Sequence, residues 1–135
     1  MAGNAVGSLR RTVLIVEDTE PPDALEMALL AIPGLAVRVA STGQQALQLM
    51  ESQDGGICAL VTDLQMPRMD GFELIERVRA NQHLKRLPII VVSGDTDPHT
   101  PERIHRLGAN AYFAKPYSPS AVRQKLEQLL NATSS

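Results

Sequence analysis

The stretch ALVTDLQMPRMDG, residues 59–71, decides how the rest of the chain can be arranged. It begins as a short apolar run with a β-branched centre, which is typical of a buried strand. It then passes from Asp63 directly into Met-Pro and Asp-Gly, which are loop signals. Asp63 is therefore predicted at the C-terminal end of a strand, the edge where open α/β sheets bind ligands. An Asp at this position can also serve only to cap a turn, so its role depends on which other residues reach the same edge.

The composition indicates one globular domain and excludes several classes of function. The chain has 135 residues, of which 44% are hydrophobic, enough for a single packed core. Aromatic residues make up only 3%, too few for stacking on single-stranded nucleic acid. The net charge of −2 gives no basic surface for binding a duplex. The single cysteine, Cys58, excludes an internal disulfide, fits a reducing compartment and is expected to pack as a small apolar residue.

The ends of the chain carry no targeting or membrane signal. No apolar run is long enough for a membrane span, and residues 1–8 lack the features of a signal peptide. We expect residues 1–10 to form a flexible N-terminal arm, residues 11–131 one domain and residues 132–135 a C-terminal tail. The prediction is a soluble, cytoplasmic protein with no direct membrane or nucleic-acid partner. It acts through protein contacts or is one part of a larger polypeptide.

Five short apolar runs alternate with helical segments along the chain. The runs lie at residues 12–16, 37–39, 59–63, 87–92 and 111–114. Continuous apolar strands separated by helices predict a parallel sheet that is covered on both faces, with right-handed crossovers. The predicted fold class is therefore α/β, a doubly wound domain of five strands and five helices.

Hydroxyl and acidic residues mark the predicted starts of four helices. Ser41 or Thr42 is expected to cap the second helix, Thr100 the fourth and Ser118 the last. A proline directly follows Thr100 and Ser118, as suits the first position of a helix. Asp70 is expected to form the turn and the start of the third helix rather than part of a site.

Polar side chains follow four of the five predicted strands, at the edge where parallel strands end. These residues are Glu17 and Asp18, Asp63, Ser93 and Lys115. Clustered carboxylates raise one another's pKa unless a cation lies among them. Carboxylates, a backbone carbonyl and waters suit Mg2+ better than Ca2+, and the cysteine and histidine ligands of zinc are missing from the set. The sequence therefore predicts a magnesium site at this edge.

The same residues suit phosphoryl transfer. A carboxylate such as Asp63 can attack a phosphoryl group and form an aspartyl phosphate. Such a transfer depends mainly on positioning and on neutralising the phosphoryl oxygens. The metal would contact one oxygen, the Lys115 ammonium a second, and the Ser93 hydroxyl would donate to a third.

This combination resembles the receiver domain of the two-component response regulator family, the CheY-like domains. The resemblance covers about residues 11–131. It rests on Val16-Glu17-Asp18, on Asp63 with Met66-Pro67 and Asp70-Gly71, on Val92-Ser93-Gly94 and on Lys115-Pro116. It implies a flavodoxin-like three-layer α/β/α fold with the strand order 2-1-3-4-5.

The resemblance also implies roles for the residues of the site. Asp63 corresponds to the phosphoacceptor, and Glu17 and Asp18 to the acidic pair that places Mg2+, with Glu17 reaching the metal through water. Gln65 would offer its backbone carbonyl to the metal, and its side chain lies near the approach of a hydrolytic water. Lys115 corresponds to the invariant lysine of the family.

A conformational switch and a set of partners follow from the same resemblance. Ser93 corresponds to the hydroxyl that follows the phosphoryl group inward, and Tyr112 to the aromatic residue that rotates with it. The bond from Lys115 to Pro116 is expected to be cis. The implied phosphodonor is a sensor histidine kinase or a histidine phosphotransfer protein. A downstream protein or a missing output domain would read the fourth helix, fifth strand and fifth helix, with room for a phosphorylation-dependent dimer.

Two other functions remain as alternatives at this point. A phosphatase with an aspartyl nucleophile commonly has a general acid two residues later, where this chain has Gln65. A flavin- or nucleotide-binding module would need a glycine-rich phosphate loop after the first strand. The chain instead has Glu17-Asp18 there, and these acids would repel phosphate unless a metal intervened.

Overall fold

The structure is a computed structural model that describes residues 11–17, 23–52, 56–66 and 68–134. Several sequence predictions fall outside this part of the chain. They are the N-terminal arm over residues 1–10, the metal-placing role of Asp18 and the loop role of Pro67. Two further sequence signals also lie outside it: Pro21 and Pro22, which suit the first turn of a helix, and Asp54-Gly55, which suits a turn.

One parallel sheet of five strands forms the centre of the fold. The strands are β1 (Arg11–Val16), β2 (Leu35–Ala40), β3 (Ile57–Asp63), β4 (Ile89–Ser93) and β5 (Ala111–Ala114). They are all parallel and lie in the order β2-β1-β3-β4-β5, which confirms the predicted topology. Pairing of Asp63 with Val92, and of Ser93 with Ala114, brings the carboxyl ends of the strands to one edge.

Five helices of the described chain cover the two faces of this sheet. They are α1 (Asp23–Leu30), α2 (Gly43–Glu51), α3 (Gly71–Ala80), α4 (Thr100–Leu107) and α5 (Pro119–Ser134). Because side chains alternate along a strand, Val13 and Ile15 pack with α1 and α5, whereas Leu14 and Val16 pack with α2, α3 and α4. The two apolar clusters give the predicted α/β/α layers. No helix in the described residues is both long enough and apolar enough to cross a membrane.

Several predicted strand and helix positions differ slightly from the structure. β2 is longer than the predicted 37–39 at both ends, and β4 begins at Ile89 and ends at Ser93 instead of covering 87–92. Cys58 lies inside β3 rather than just before it, and packs against the cluster of α1 and α5. Burial raises the pKa of its thiol, in keeping with an apolar packing role. At the other end of the chain, α5 runs to Ser134, so it includes residues that the sequence assigned to the C-terminal tail.

Three of the four predicted helix starts are confirmed by hydrogen bonds, and one is wrong. Thr42 Oγ1 accepts from the Gln45 amide at 3.0 Å, and Asp70 Oδ1 accepts from the Glu73 amide at 2.9 Å. In the same way, the Ser118 hydroxyl accepts from the Ala121 amide at 3.3 Å.

Thr100 does not cap α4. It is the first residue of the helix, after His99, and its hydroxyl donates to the Asp95 carboxylate at 3.0 Å. The prediction failed because the preceding loop supplies a charged acceptor for that hydroxyl. The residues next to Thr100 in the sequence do not indicate this contact.

Gly71 lets the start of α3 approach the end of β3. Its amide donates to the Leu64 carbonyl at 2.9 Å. A Cβ atom on Gly71 would lie 2.5 Å from the Asp63 carbonyl oxygen and 2.7 Å from the Leu64 Cα. Both neighbours are backbone atoms that cannot rotate away, so this position requires glycine. The loop after Asp63 is therefore closed tightly against the strand.

We predict that Gly71→Ala destabilises the fold, because the added methyl group would push α3 away from β3. The expected loss in free energy of unfolding is about 1 to 3 kcal/mol, the usual cost of overpacking. Urea denaturation followed by circular dichroism measures it.

Gly94→Ala is the matched control, because a Cβ at Gly94 would meet nothing within 4 Å. The control should change the free energy of unfolding by less than about 0.5 kcal/mol. Equal losses in the two variants would contradict the close approach at Gly71.

Candidate functional site

A lysine ammonium lies between two buried carboxylates at the carboxyl edge of the sheet. Lys115 Nζ donates to Asp63 Oδ2 at 2.7 Å and to Glu17 Oε2 at 3.1 Å. The two carboxylate side chains are only 5% and 6% exposed, and the lysine side chain is 25% exposed. The three side chains therefore form one ion-paired group that is largely shielded from water.

Each member of this group is placed by the end of a different strand. Asp63 is the last residue of β3. Glu17 directly follows β1, and its amide continues the pairing with β2 by donating to the Ala40 carbonyl at 3.1 Å. Lys115 directly follows β5, and its amide donates to the Ser93 carbonyl at 2.8 Å. The Lys115–Pro116 bond is cis, as the family resemblance implied.

Both oxygens of the Asp63 carboxylate have a hydrogen-bond donor. Oδ2 accepts from the Lys115 ammonium, and Oδ1 accepts from the backbone amide of Gln65 at 3.1 Å. The Gln65 residue itself is exposed. These two donors fix the orientation of the carboxylate at the mouth of the sheet.

The surroundings of Lys115 keep its ammonium protonated. Burial alone would lower the pKa of this lysine, but the hydrogen bonds and charges of Asp63 and Glu17 outweigh that effect. They raise the pKa from 10.5 to about 12. Lys115 therefore acts as a fixed positive charge at neutral pH.

The charges of this group leave room for a further cation. Two carboxylates face one ammonium, so the described part of the site has an excess of negative charge. No three His, Cys, Asp or Glu side chains gather into a metal-binding group within the described residues, and Asp18 is not among those residues. Oxygen donors with an excess negative charge fit a hard divalent cation such as Mg2+.

Ser93 and Tyr112 both contact the backbone of a third residue, Asp95. Ser93 is completely buried, and its hydroxyl accepts from the Asp95 amide at 3.1 Å. Tyr112 is half-buried on β5, and its hydroxyl donates to the Asp95 carbonyl at 3.3 Å. Burial raises the pKa of the Tyr112 phenol, and the charges of Asp95 and Asp63 raise it further. The two residues singled out from the sequence are thus linked through the β4–α4 loop.

The structure brings most of the predicted site residues together. The Lys115 ammonium contacts the carboxylates of Glu17 and Asp63 directly. The backbone carbonyl of Ser93 accepts from the backbone amide of Lys115, and the backbone amide of Gln65 donates to Asp63. Sequence reasoning missed Asp95 and treated its segment only as a polar loop. No sequence signal pointed to it, because its contacts depend on how the folded loop meets β5 and α4.

Comparisons with known proteins agree with this fold and indicate a family. The family profile described as "Response regulator receiver domain" matches residues 13–127. A two-component response regulator of Oryza sativa subsp. indica, ORR11, is 30% identical over 118 residues, which is 87% of this chain and 80% of the relative. A gliding motility regulatory protein of Myxococcus xanthus is 33% identical over 82% of this chain, which corresponds to only 14% of that longer protein.

Solved structures show the same fold. A response regulator receiver protein from Pseudomonas putida has a TM-score of 0.74 and 32% identity, and the match covers 91% of this chain and 97% of that one. The receiver domain of a sensor histidine kinase from Pseudomonas aeruginosa, solved with a magnesium ion in its active-site cleft, has a TM-score of 0.74. Its identity is 24%, with 90% of this chain and 98% of that one covered, so it supports the fold alone.

We predict that Lys115→Met destabilises the fold at neutral pH, because it leaves two buried carboxylates without their cation. The rise in pKa from 10.5 to about 12 sets an upper limit of ~2 kcal/mol, and because water screens the partly exposed ammonium we expect a loss of about 1 kcal/mol in the free energy of unfolding. Because the folded pKa is raised, this contribution is complete below pH 10.5 and disappears as the pH rises through about 12. Urea denaturation at a series of pH values measures it.

The control is Lys125→Met on α5, since Lys125 forms no ion pair within the described residues. This variant should retain nearly all of the wild-type stability. The difference between wild type and Lys115→Met should shrink at the alkaline end of the series. A difference that stays constant with pH would show that the ammonium charge is not what stabilises the site.

Proposed function

The chain belongs to the response regulator receiver family, and we propose that it is a phosphorylation-dependent signalling switch in which Asp63 accepts the phosphoryl group. One observation carries this assignment. The Asp63 carboxylate ends a buried strand, and a protonated lysine holds one of its oxygens at 2.7 Å. An anionic nucleophile with a fixed cation beside it suits the transfer of a dianionic group.

The proposed donor is a phosphorylated histidine on a sensor kinase or a histidine phosphotransfer protein. An Asp63 oxygen attacks the phosphorus atom, and the new P–O bond forms as the P–N bond to the donor imidazole breaks. The electron pair of that bond goes to the imidazole nitrogen, which takes up a proton. Hydrogen bonds from the backbone amide of Gln65 and from the Lys115 ammonium orient the two oxygens of the Asp63 carboxylate for the attack.

A divalent cation would bind beside this carboxylate. We propose that Glu17, Asp18, Asp63 and the Gln65 carbonyl hold Mg2+, with Glu17 reaching it through water. Bound there, the metal would neutralise charge on the transferring phosphoryl oxygens. The support is the excess of negative charge over the single ammonium in the described part of the site.

Ser93 and Tyr112 are proposed to report the presence of the phosphoryl group. The Ser93 hydroxyl oxygen accepts from the Asp95 amide, so its own hydrogen is available to donate to a phosphoryl oxygen on Asp63. A shift of Ser93 would displace Asp95, and the Tyr112 hydroxyl, which donates to the Asp95 carbonyl, would then have to move as well. Phosphorylation would then bias two packings of α4, β5 and α5, the surface proposed to bind the downstream protein.

The two alternative functions fit this site less well. A phosphatase of the aspartyl type needs a general acid near the nucleophile, and the amide side chain of Gln65 cannot donate a proton in that way. A flavin or nucleotide module would place a bare phosphate against two buried carboxylates, Glu17 and Asp63, which repel it. Neither alternative is supported by a specific contact among the described residues.

We predict that acetyl phosphate labels the protein with one phosphoryl group in the presence of Mg2+. Labelling should be lost in Asp63→Asn, which removes the nucleophile, and should fall steeply when a chelator removes the metal. Intact-protein mass spectrometry, followed by peptide mapping, measures both effects.

Asp70→Asn is the matched control, since Asp70 is a carboxylate of the same loop that caps α3 and stands outside the ion-paired group. It should be labelled as well as the wild type. Labelling of Asp63→Asn at the wild-type level would refute the assignment of the acceptor.

We also predict that Mg2+ with beryllofluoride, a mimic of the phosphoryl group, perturbs the protein beyond its acceptor. Backbone amide resonances of Ser93, Tyr112 and residues 94–108 should shift, because the Ser93 hydroxyl would move toward the mimic. Two-dimensional NMR measures these shifts.

The amides of α1, on the opposite face of the sheet from α4, serve as the internal reference and should move little. Shifts confined to Asp63 and its immediate neighbours would refute the switch, while leaving the acceptor role intact.

A further inference from the structure

Asp95 is the meeting point of four hydrogen bonds in the loop between β4 and α4. Its backbone contacts both proposed switch residues, through the amide to Ser93 Oγ at 3.1 Å and the carbonyl to the Tyr112 hydroxyl at 3.3 Å. Its carboxylate accepts from the Thr100 hydroxyl at 3.0 Å and from the Asp97 amide at 2.9 Å. One half-buried residue thus touches Ser93, Tyr112 and the start of α4 at once.

The bond from Thr100 connects this loop directly to a helix. Thr100 is the first residue of α4 and is only 3% exposed. Its hydroxyl points back to the loop instead of capping the helix, and its acceptor is a carboxylate, which makes stronger hydrogen bonds than a neutral oxygen. Any displacement of Asp95 is therefore passed to the first turn of α4.

The other end of α4 is fixed to its neighbours. Arg79, at the end of α3, donates to the Gly108 carbonyl through Nη2 at 2.7 Å and Nε at 3.1 Å. Its Nη1 donates to the Leu84 and Lys85 carbonyls at 3.2 and 3.0 Å. Arg79 thus ties the Gly108 carbonyl to α3 by two hydrogen bonds of a charged donor, whereas both bonds of Thr100, from its hydroxyl to Asp95 and from its backbone amide to the Asp97 carbonyl at 3.1 Å, go to the β4–α4 loop. A movement of that loop would therefore act on α4 at its first turn.

We propose that Asp95 is a positioning residue that couples Ser93 and Tyr112 to the first turn of α4 through the Thr100 hydroxyl, with the Arg79–Gly108 contact as the fixed point. The signal that uses this coupling rests on the proposed function. The coupling itself is a property of the resting protein, so it can be tested without any phosphoryl group.

The first experiment is a double-mutant cycle between Thr100→Val and Tyr112→Phe. Each substitution removes one hydroxyl with little change of shape. The two hydroxyls bond to different atoms of Asp95, so this residue is the hydrogen-bonding partner that they share. We expect the loss in urea unfolding midpoint of the double variant to be clearly smaller than the sum of the two single losses.

Thr42→Val is the matched control for this cycle, because Thr42 also lies at a helix start but bonds only within α2. Its loss should add to that of Tyr112→Phe. If Thr100→Val adds to Tyr112→Phe just as Thr42→Val does, the coupling through Asp95 is refuted.

The second experiment measures the response of α4 to Mg2+ and beryllofluoride. In Thr100→Val, the amide shifts of the first turn of α4 should fall by roughly twofold or more, while acetyl phosphate still labels Asp63 fully. Thr100→Ser, which restores a hydroxyl, should recover the response, and a full response in Thr100→Val would refute the proposal. Failure of the wild type to be labelled would refute the proposed function instead, and the double-mutant cycle would then decide the coupling alone.

Discussion

The arrangement of the site depends on the Lys115 ammonium, which forms ion pairs with two buried carboxylates at once. β1 and β3 are neighbours in the sheet, so Glu17 and Asp63 meet at its edge whatever the rest of the chain does. Lys115 comes from β5, which is separated from β3 by β4, a span of roughly 10 Å between strands. A long, flexible side chain is needed to cross that span. Ser93, which ends the intervening strand, accepts from the backbone amide of Lys115.

The same constraint explains why a buried acidic site is compatible with a stable fold. An unpaired carboxylate in the interior costs several kcal/mol, and a pair of them costs more. The ammonium offsets part of that cost, and its own partial burial is offset in turn by the two carboxylates, which raise its pKa. The remaining excess of negative charge suits a divalent cation, which would in turn offset the charge of a phosphoryl group. Stability and the proposed chemistry therefore draw on the same three side chains.

The contacts around Asp95 extend this site to a helix on the surface of the protein. Ser93 and Tyr112, the two proposed switch residues, lie on the neighbouring strands β4 and β5. The β4–α4 loop joins them through one residue, and Thr100 carries the link into α4. Arg79 holds the far end of that helix, so the proposed coupling would act on its first turn.

The sequence by itself determined the parallel sheet and the polar residues at its carboxyl edge, and the resemblance to a known family implied the strand order. Apolar runs that end on Asp63, Ser93 or Lys115 can be recognised because each strand carries its own signal over a few neighbouring residues. Caps such as Thr42 and Asp70 were also local, and the structure confirms them. Only the tertiary structure decided how the β4–α4 loop is used. The hydrogen bond from the Tyr112 hydroxyl to the Asp95 carbonyl joins residues 17 positions apart in the chain. The Thr100 hydroxyl donates to the Asp95 carboxylate of the loop and does not cap the helix. Such choices depend on which donors and acceptors the folded chain brings within about 3 Å of one another, and no periodic pattern in the sequence encodes that distance.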